Sequence, residues 1–133
     1  MLSSQAIHFD IKKSLEELEN SNWGEPGYPS HLVTECHRLR RVPLAAFTVE
    51  NLRILISQSI SLQFLIPLAI KELEKDPLVS GDCYEGDLLL TVMKSDPQFW
   101  KKRSDLKEQV YEIAKEVADE EIVQQLNIFS KNV

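Results

Sequence analysis

Apolar residues recur along this chain at helical spacing, and the scarce glycines and prolines cut the pattern into short segments. Ile7, Ile11, Leu15 and Leu18 step by four, four and three, which predicts a first helix with one apolar face. The polar stretch Glu16 to Asn22 then runs into Trp23-Gly24-Glu25-Pro26-Gly27-Tyr28-Pro29, where two glycines and two prolines forbid a continuing helix. A short helix follows, capped by Ser30, with Leu32, Cys36 and Leu39 on one side. Arg38 and Arg40 flank that stripe, and His37 and Arg41 lie on the far side. Phe47-Thr48-Val49-Glu50-Asn51-Leu52 carries a Thr48 cap and a Phe47–Leu52 hydrophobic staple, and Ser61 restarts the chain after that helix. From Leu62 to Leu73 apolar residues occur almost all round, the mark of a central helix. Proline costs about 3 kcal/mol inside a helix. Pro67 therefore predicts a helix start near itself, with Leu62 to Leu65 as a separate turn.

Asp76-Pro77 closes the central helix, and Leu78 to Asp87 forms a second loop with two glycines and several carboxylates. Leu88 to Met93 reads as a short buried helix, and Asp96-Pro97 opens another bearing Phe99 and Trp100. Val110, Ala114, Ala118, Ile122 and Leu126 step by four, which predicts a long final helix of about five or six turns. The fold expected is all-α: a compact single-domain bundle of about six or seven helices over residues 1–133, with a long C-terminal helix.

Composition narrows the class. With 133 residues, 43% of them hydrophobic, and a net charge of −6, the chain closes a core without metals or disulfides. Two cysteines, Cys36 and Cys83, are too few for a disulfide framework and fit a reducing compartment. The longest apolar run, Phe64 to Ile70, is far short of the roughly 18 residues of a membrane span. Met1-Leu2-Ser3-Ser4-Gln5 lacks a basic segment followed by an apolar one, so a secretion signal is not expected. A cytoplasmic protein that engages neither membrane nor metal is expected.

Catalytic signals are weak. His8, His31 and His37 stand in no metal-ligand spacing, and no cofactor is implied, since glycine-rich phosphate loops and nucleophile elbows are missing from the sequence. Asp82 with Asp87 supports acid–base work only if one is enclosed with a raised pKa. The string His37-Arg38-Leu39-Arg40-Arg41 has two readings. Arg38, Arg40 and Arg41 form a phosphate-binding face of a helical RNA-binding or regulatory module, or they lay their stems over the core and pair with carboxylates. An acidic domain favours the second, because nucleic-acid binders show a basic footprint. Trp100 reads as a core anchor and Trp23, in a polar loop, as partly exposed. Between Lys71 and Leu90 six acids face two lysines, a local charge of −4, and seven more acids stand between Asp105 and Glu121. Such a field suits a basic protein partner.

Asn22-Trp23-Gly24-Glu25-Pro26, Cys36-His37-Arg38-Leu39-Arg40-Arg41, Pro43-Leu44, Phe47-Thr48-Val49-Glu50-Asn51-Leu52-Arg53, Ile66-Pro67-Leu68-Ala69, Asp76-Pro77-Leu78, Gly81-Asp82-Cys83-Tyr84-Glu85-Gly86-Asp87-Leu88-Leu89 and Phe99-Trp100 stand in an order and spacing worth reading together. They resemble the immunity proteins (CdiI family) of bacterial contact-dependent growth inhibition (CDI) systems. The resemblance implies a non-enzymatic cytoplasmic protein that binds the cognate C-terminal toxin domain of a CdiA effector as a 1:1 heterodimer. It further implies a basic nuclease as that toxin, with an RNA-cleaving activity expected. Trp23, Glu25 and Tyr84 are then the expected anchors or loop contacts, and Asp82, Glu85 and Asp87 the expected charge partners. A tight connection between two helices is the alternative use of Gly81 to Leu88.

Overall fold

Side-chain caps start most of the helices. In the computed structural model, which describes residues 7–25, 27 and 30–131, eight α-helices and one 3₁₀ turn appear, with no strand among the described residues. They are α1 (Leu15–Glu19), α2 (His31–Leu39), the 3₁₀ turn (Leu44–Ala46), α3 (Val49–Ser57), α4 (Leu62–Lys75), α5 (Asp87–Lys94), α6 (Pro97–Lys102), α7 (Ser104–Ala114) and α8 (Glu120–Lys131). Ser14, Ser30, Thr48 and Asp96 each accept a backbone N–H from the first turn of the helix that follows. Ser14 and Thr48 complete capping boxes with Glu17 and Asn51. One such cap contributes about 1 kcal/mol.

The core is a single apolar cluster. Leu55, Ile56, Leu65, Ile66, Ala69, Leu73, Leu88, Leu89 and Val92, from α3, α4 and α5, have no solvent access. α3 lies against α5, α5 against α8, and α4 against α3, α5 and α7. Trp100 is buried as expected; its indole N–H donates to Ser95 Oγ at 3.0 Å and its ring meets Phe129 edge-on at 5.0 Å.

The all-α architecture agrees with the sequence pattern, and three details differ for physical reasons. First, Ile7 to Lys13 is not helical, because the carbonyls of Ile11 and Lys13 accept from Ala45 and Leu44 of the 3₁₀ turn, bonds that a helix would deny them. Second, α4 runs straight through Pro67. The carbonyl that proline leaves without its helical partner belongs to Gln63, an exposed residue, and burial of Leu62, Leu65, Ile66, Ala69, Ile70 and Leu73 outweighs the penalty. Third, the last apolar stripe is divided between α7 and α8. Asp119 Oδ1 accepts from Ile122 N at 3.1 Å and starts a new helix, so Ala118 is exposed in the connection while Ile122 and Phe129 return to the core. The seven acids of this region are consequently spread over two helices and a turn rather than lying on one face.

Burial separates Leu65 of α4 from Leu32 of α2, both apolar positions of helical segments in the sequence pattern. Leu65→Ala is expected to lower the unfolding free energy by about 2–5 kcal/mol. Leu32→Ala, at a position 41% exposed, is expected to change it by less than about 0.5 kcal/mol. Urea unfolding of the two variants checks the contrast.

Candidate functional site

The chain after α1 turns sharply, and basic groups from the end of α2 hold it. Asn20 closes α1 in the left-handed conformation with φ 50°. Asn22 Oδ1 then accepts from Gly24 N at 2.6 Å, and Gly24 takes φ +73°, a backbone state glycine reaches without strain. Arg41 Nη2 donates to the Gly24 carbonyl at 3.0 Å, and His37 Nδ1 lies 3.1 Å from the same oxygen. Arg40, only 1% exposed, donates from Nη2 to the Ser21 carbonyl at 2.8 Å and from Nη1 to Glu19. Its guanidinium carbon sits 4.3 Å from the centre of the Trp23 ring, and His37 meets that ring edge-on at 5.2 Å. Trp23 is nevertheless 44% exposed. Glu25 is nearly free in solvent, its Oε1 3.8 Å from Arg41 Nη1.

The second loop is pinned from inside by a carboxylate. Asp87 is 2% exposed, and its oxygens accept from the backbone N–H groups of Gly81 at 2.7 Å, Cys83 at 3.0 Å and Tyr84 at 3.3 Å. Asp87 opens α5 directly after Gly86, which has φ +82° and whose N–H donates to the Leu78 carbonyl at 3.1 Å. Glu50 of α3 supports the other side. Its Oε1 accepts from Asp82 N at 2.8 Å and from Arg53 Nε at 2.7 Å, and its Oε2 accepts from Arg53 Nη2. The Arg53 hydrogen bond, followed by that of the Asp82 N–H, holds the Glu50 carboxyl below the usual glutamate range against the opposing effect of burial. A side chain at Gly81 would overlap Glu50 Oε1 and press on the Glu50 backbone, so the close approach of loop and helix requires glycine. What this leaves outside is Asp82, Cys83, Tyr84 and Glu85, all exposed, with Tyr84 at 50%.

The six candidate contact residues therefore divide. Trp23, Glu25, Asp82, Tyr84 and Glu85 face solvent, whereas Asp87 is an internal pin with every oxygen engaged. Pro26, Tyr28 and Pro29 of the first loop lie outside the described residues. α2 borders both loops: its C-terminal end carries the groups that hold Trp23, and His31 at its start and Glu35 at its middle line an open groove of about 550 Å³ with Glu50, Ser80, Gly81 and Asp82. The basic string is paired with carboxylates. Arg38 bonds Glu35, Arg40 bonds Glu19, and Arg41 bonds Glu16 at 3.2 Å, and of the three Arg40 alone is buried. Glu50 and Arg53 are the contributors that sequence reasoning missed: they pair three residues apart on α3, but the Asp82 N–H that Glu50 braces lies 32 residues further on, and for Arg40, expected to pair with a carboxylate, the hold on the Ser21 carbonyl was the part not foreseen. No group of three metal-ligating side chains occurs among the described residues.

A family model described as CDI immunity proteins matches residues 17–110, from α1 into α7, and so takes in both loops and every group that pins them. Comparison with curated proteins and with solved structures finds no match.

Removing the internal pin is expected to cost far more than removing its exposed neighbour. Asp87→Ala is expected to destabilise by about 2–3 kcal/mol, since a carboxylate that accepts several N–H bonds is lost. Asp82→Ala is expected to stay within about 0.5 kcal/mol. Urea unfolding at neutral pH checks both. Glu50 adds a pH signature. Its lowered pKa makes its contribution complete above the unfolded-chain value of about 4.3, and that contribution fades as the pH falls from there through the folded-state value. The stability gap between wild type and Glu50→Gln is thus expected to shrink from pH 7 to pH 3; a constant gap would contradict it.

Proposed function

The chain belongs to the CDI immunity proteins, and from that premise we propose that it binds and neutralises the C-terminal toxin domain of its cognate CdiA effector in the cytoplasm. It does so by stoichiometric masking, one chain to one toxin, and performs no reaction of its own. The toxin we infer is a cationic nuclease, with RNA its expected substrate. Active sites that handle phosphate are lined by Lys, Arg or His, and the present chain meets such a surface with a net charge of −6.

One observation supports this reading above the others. Two exposed aromatic residues, Trp23 and Tyr84, stand on backbone held from within, by Arg40 at Ser21 and by Asp87 at Gly81, Cys83 and Tyr84. Rigid aromatics of this kind form the energetic centre of protein interfaces, and a loop ordered in advance has little entropy to lose on binding. Glu25, Asp82 and Glu85 supply the acidic rim that attracts the partner. Asp87 contributes indirectly, through the shape it gives to Tyr84. Trapping a few toxin molecules in a cell calls for nanomolar affinity or better, about −12 kcal/mol. Near 800 Å² per partner is sufficient for that when the anchors are buried in the complex.

Co-expression with the toxin domain encoded beside this chain tests the proposal. Restored growth and co-purification of the pair are expected, and toxin killing undiminished by the chain would overturn it. Within the complex, Trp23→Ala or Tyr84→Ala is expected to weaken binding by about 30-fold, near 2 kcal/mol. Asp82→Lys with Glu85→Lys is expected to slow association and flatten its salt dependence, with a small effect on dissociation. Stopped-flow or biolayer kinetics at several ionic strengths separates these effects.

A further inference from the structure

We propose that Arg40 is the positioning residue of the recognition loop, holding Trp23 from beneath in the orientation that meets the toxin. The assignment rests on the function proposed above and names the device that prepares its principal anchor.

The geometry is that of a clamp with three jaws. From Nη1, Arg40 donates to Glu19 at the end of α1 and reaches Ser61 Oγ at 3.4 Å at the start of α4. Ser61 Oγ donates in turn to Glu19 Oε2 at 2.8 Å, so the carboxylate and the hydroxyl fix the guanidinium plane between two helices. From Nη2 it donates to the Ser21 carbonyl at 2.8 Å, and its face lies under Trp23 at 4.3 Å. One side chain thereby fixes the loop at Ser21 and again at Trp23. With Arg41 and His37 on the Gly24 carbonyl, each bend of Ser21 to Gly24 is tied to the end of α2.

Packing alone does not call for this arrangement. Arg40 is 1% exposed, and its Nε is buried without a hydrogen-bond partner, so the site carries a desolvated charge with one donor unmet. A leucine or methionine here with an apolar partner in place of Glu19 would fill the α1–α2–α4 junction without that burden, since replacing both members of a buried ion pair by apolar residues is often neutral or stabilising. What an apolar side chain lacks is the planar fork, which bonds a loop carbonyl and an α1 carboxylate while presenting a cation to an aromatic face. The outcome is an exposed tryptophan whose inner face and one edge are already occupied, by Arg40 and His37, leaving the outer face ordered for a partner.

The test uses the full chain labelled with 5-fluorotryptophan, whose two ¹⁹F signals belong to Trp23 and Trp100 and are assigned with Trp23→Phe. Arg40→Met is expected to move the Trp23 signal toward its unfolded-chain position while Trp100 stays in place. Toxin dissociation is expected to quicken at least tenfold. In the Arg40→Met background, Trp23→Ala is expected to change binding by less than twofold, because the anchor is no longer presented. Arg40→Lys, which retains the charge but lacks the fork, is expected to fall between wild type and Arg40→Met on both readouts. Glu19→Gln, which loosens the fork without removing it, carries the same two measurements if Arg40→Met does not fold. An unmoved Trp23 signal with unchanged dissociation overturns the assignment, as do losses from Arg40→Met and Trp23→Ala that simply add. A wild-type chain that fails to bind the toxin overturns the immunity reading itself, whereas tight binding by wild type and Arg40→Met alike overturns the assignment alone.

Discussion

A guanidinium with almost no access to water has to find its partners inside the protein, and at Arg40 that requirement ties three segments together. Leaving such a charge unpaired would cost several kcal/mol. The fold meets the demand with Glu19 from α1, the Ser21 carbonyl from the loop and Ser61 from the start of α4. These groups lie about twenty residues away on either side in sequence, so their convergence fixes how α1, α2 and α4 meet. The backbone from Ser21 to Gly24 inherits its course from that junction.

The second loop follows the same logic with the opposite charge. Asp87 is buried, and the N–H groups of Gly81, Cys83 and Tyr84 turn inward to serve it. Glu50 and Arg53 brace the outer side of the turn through Asp82 N, an approach made possible by the missing side chain at Gly81. In both places a buried ionic group orders backbone that would otherwise sample many conformations. Side chains carried on such backbone, Trp23 in one loop and Tyr84 in the other, are presented before any partner arrives. An immunity protein gains from this, since its partner is lethal until held and ordering on contact would weaken the complex.

Much of the fold was legible because its signals are local. The Ser30, Thr48 and Asp96 caps, the Asp76-Pro77 stop and the all-α class all rest on residues within one turn of each other. What escaped was non-local. The helical spacing of Ile7 to Leu18 was genuine, but backbone bonds to Leu44 and Ala45 displaced its first half. The proline penalty at Pro67 is a local term, and burial on either side of it outweighs it. Asp119 was read as one more surface acid although it caps α8. In the candidate site, the exposure of Trp23 and the structural use of the arginines were readable from a polar loop beside an apolar stripe. The inward turn of Asp87 was not, because a carboxylate at a glycine-flanked loop reads in sequence as solvated.

The loop segments held by Arg40 and Asp87 are proposed as the surface the toxin meets. Hydrogen exchange of the chain alone and in complex with its toxin domain measures this directly. The result expected is added protection concentrated at residues 21–25 and 80–86 with little change in α8; protection confined to α7 and α8, with both loops exchanging as in the free chain, would contradict it.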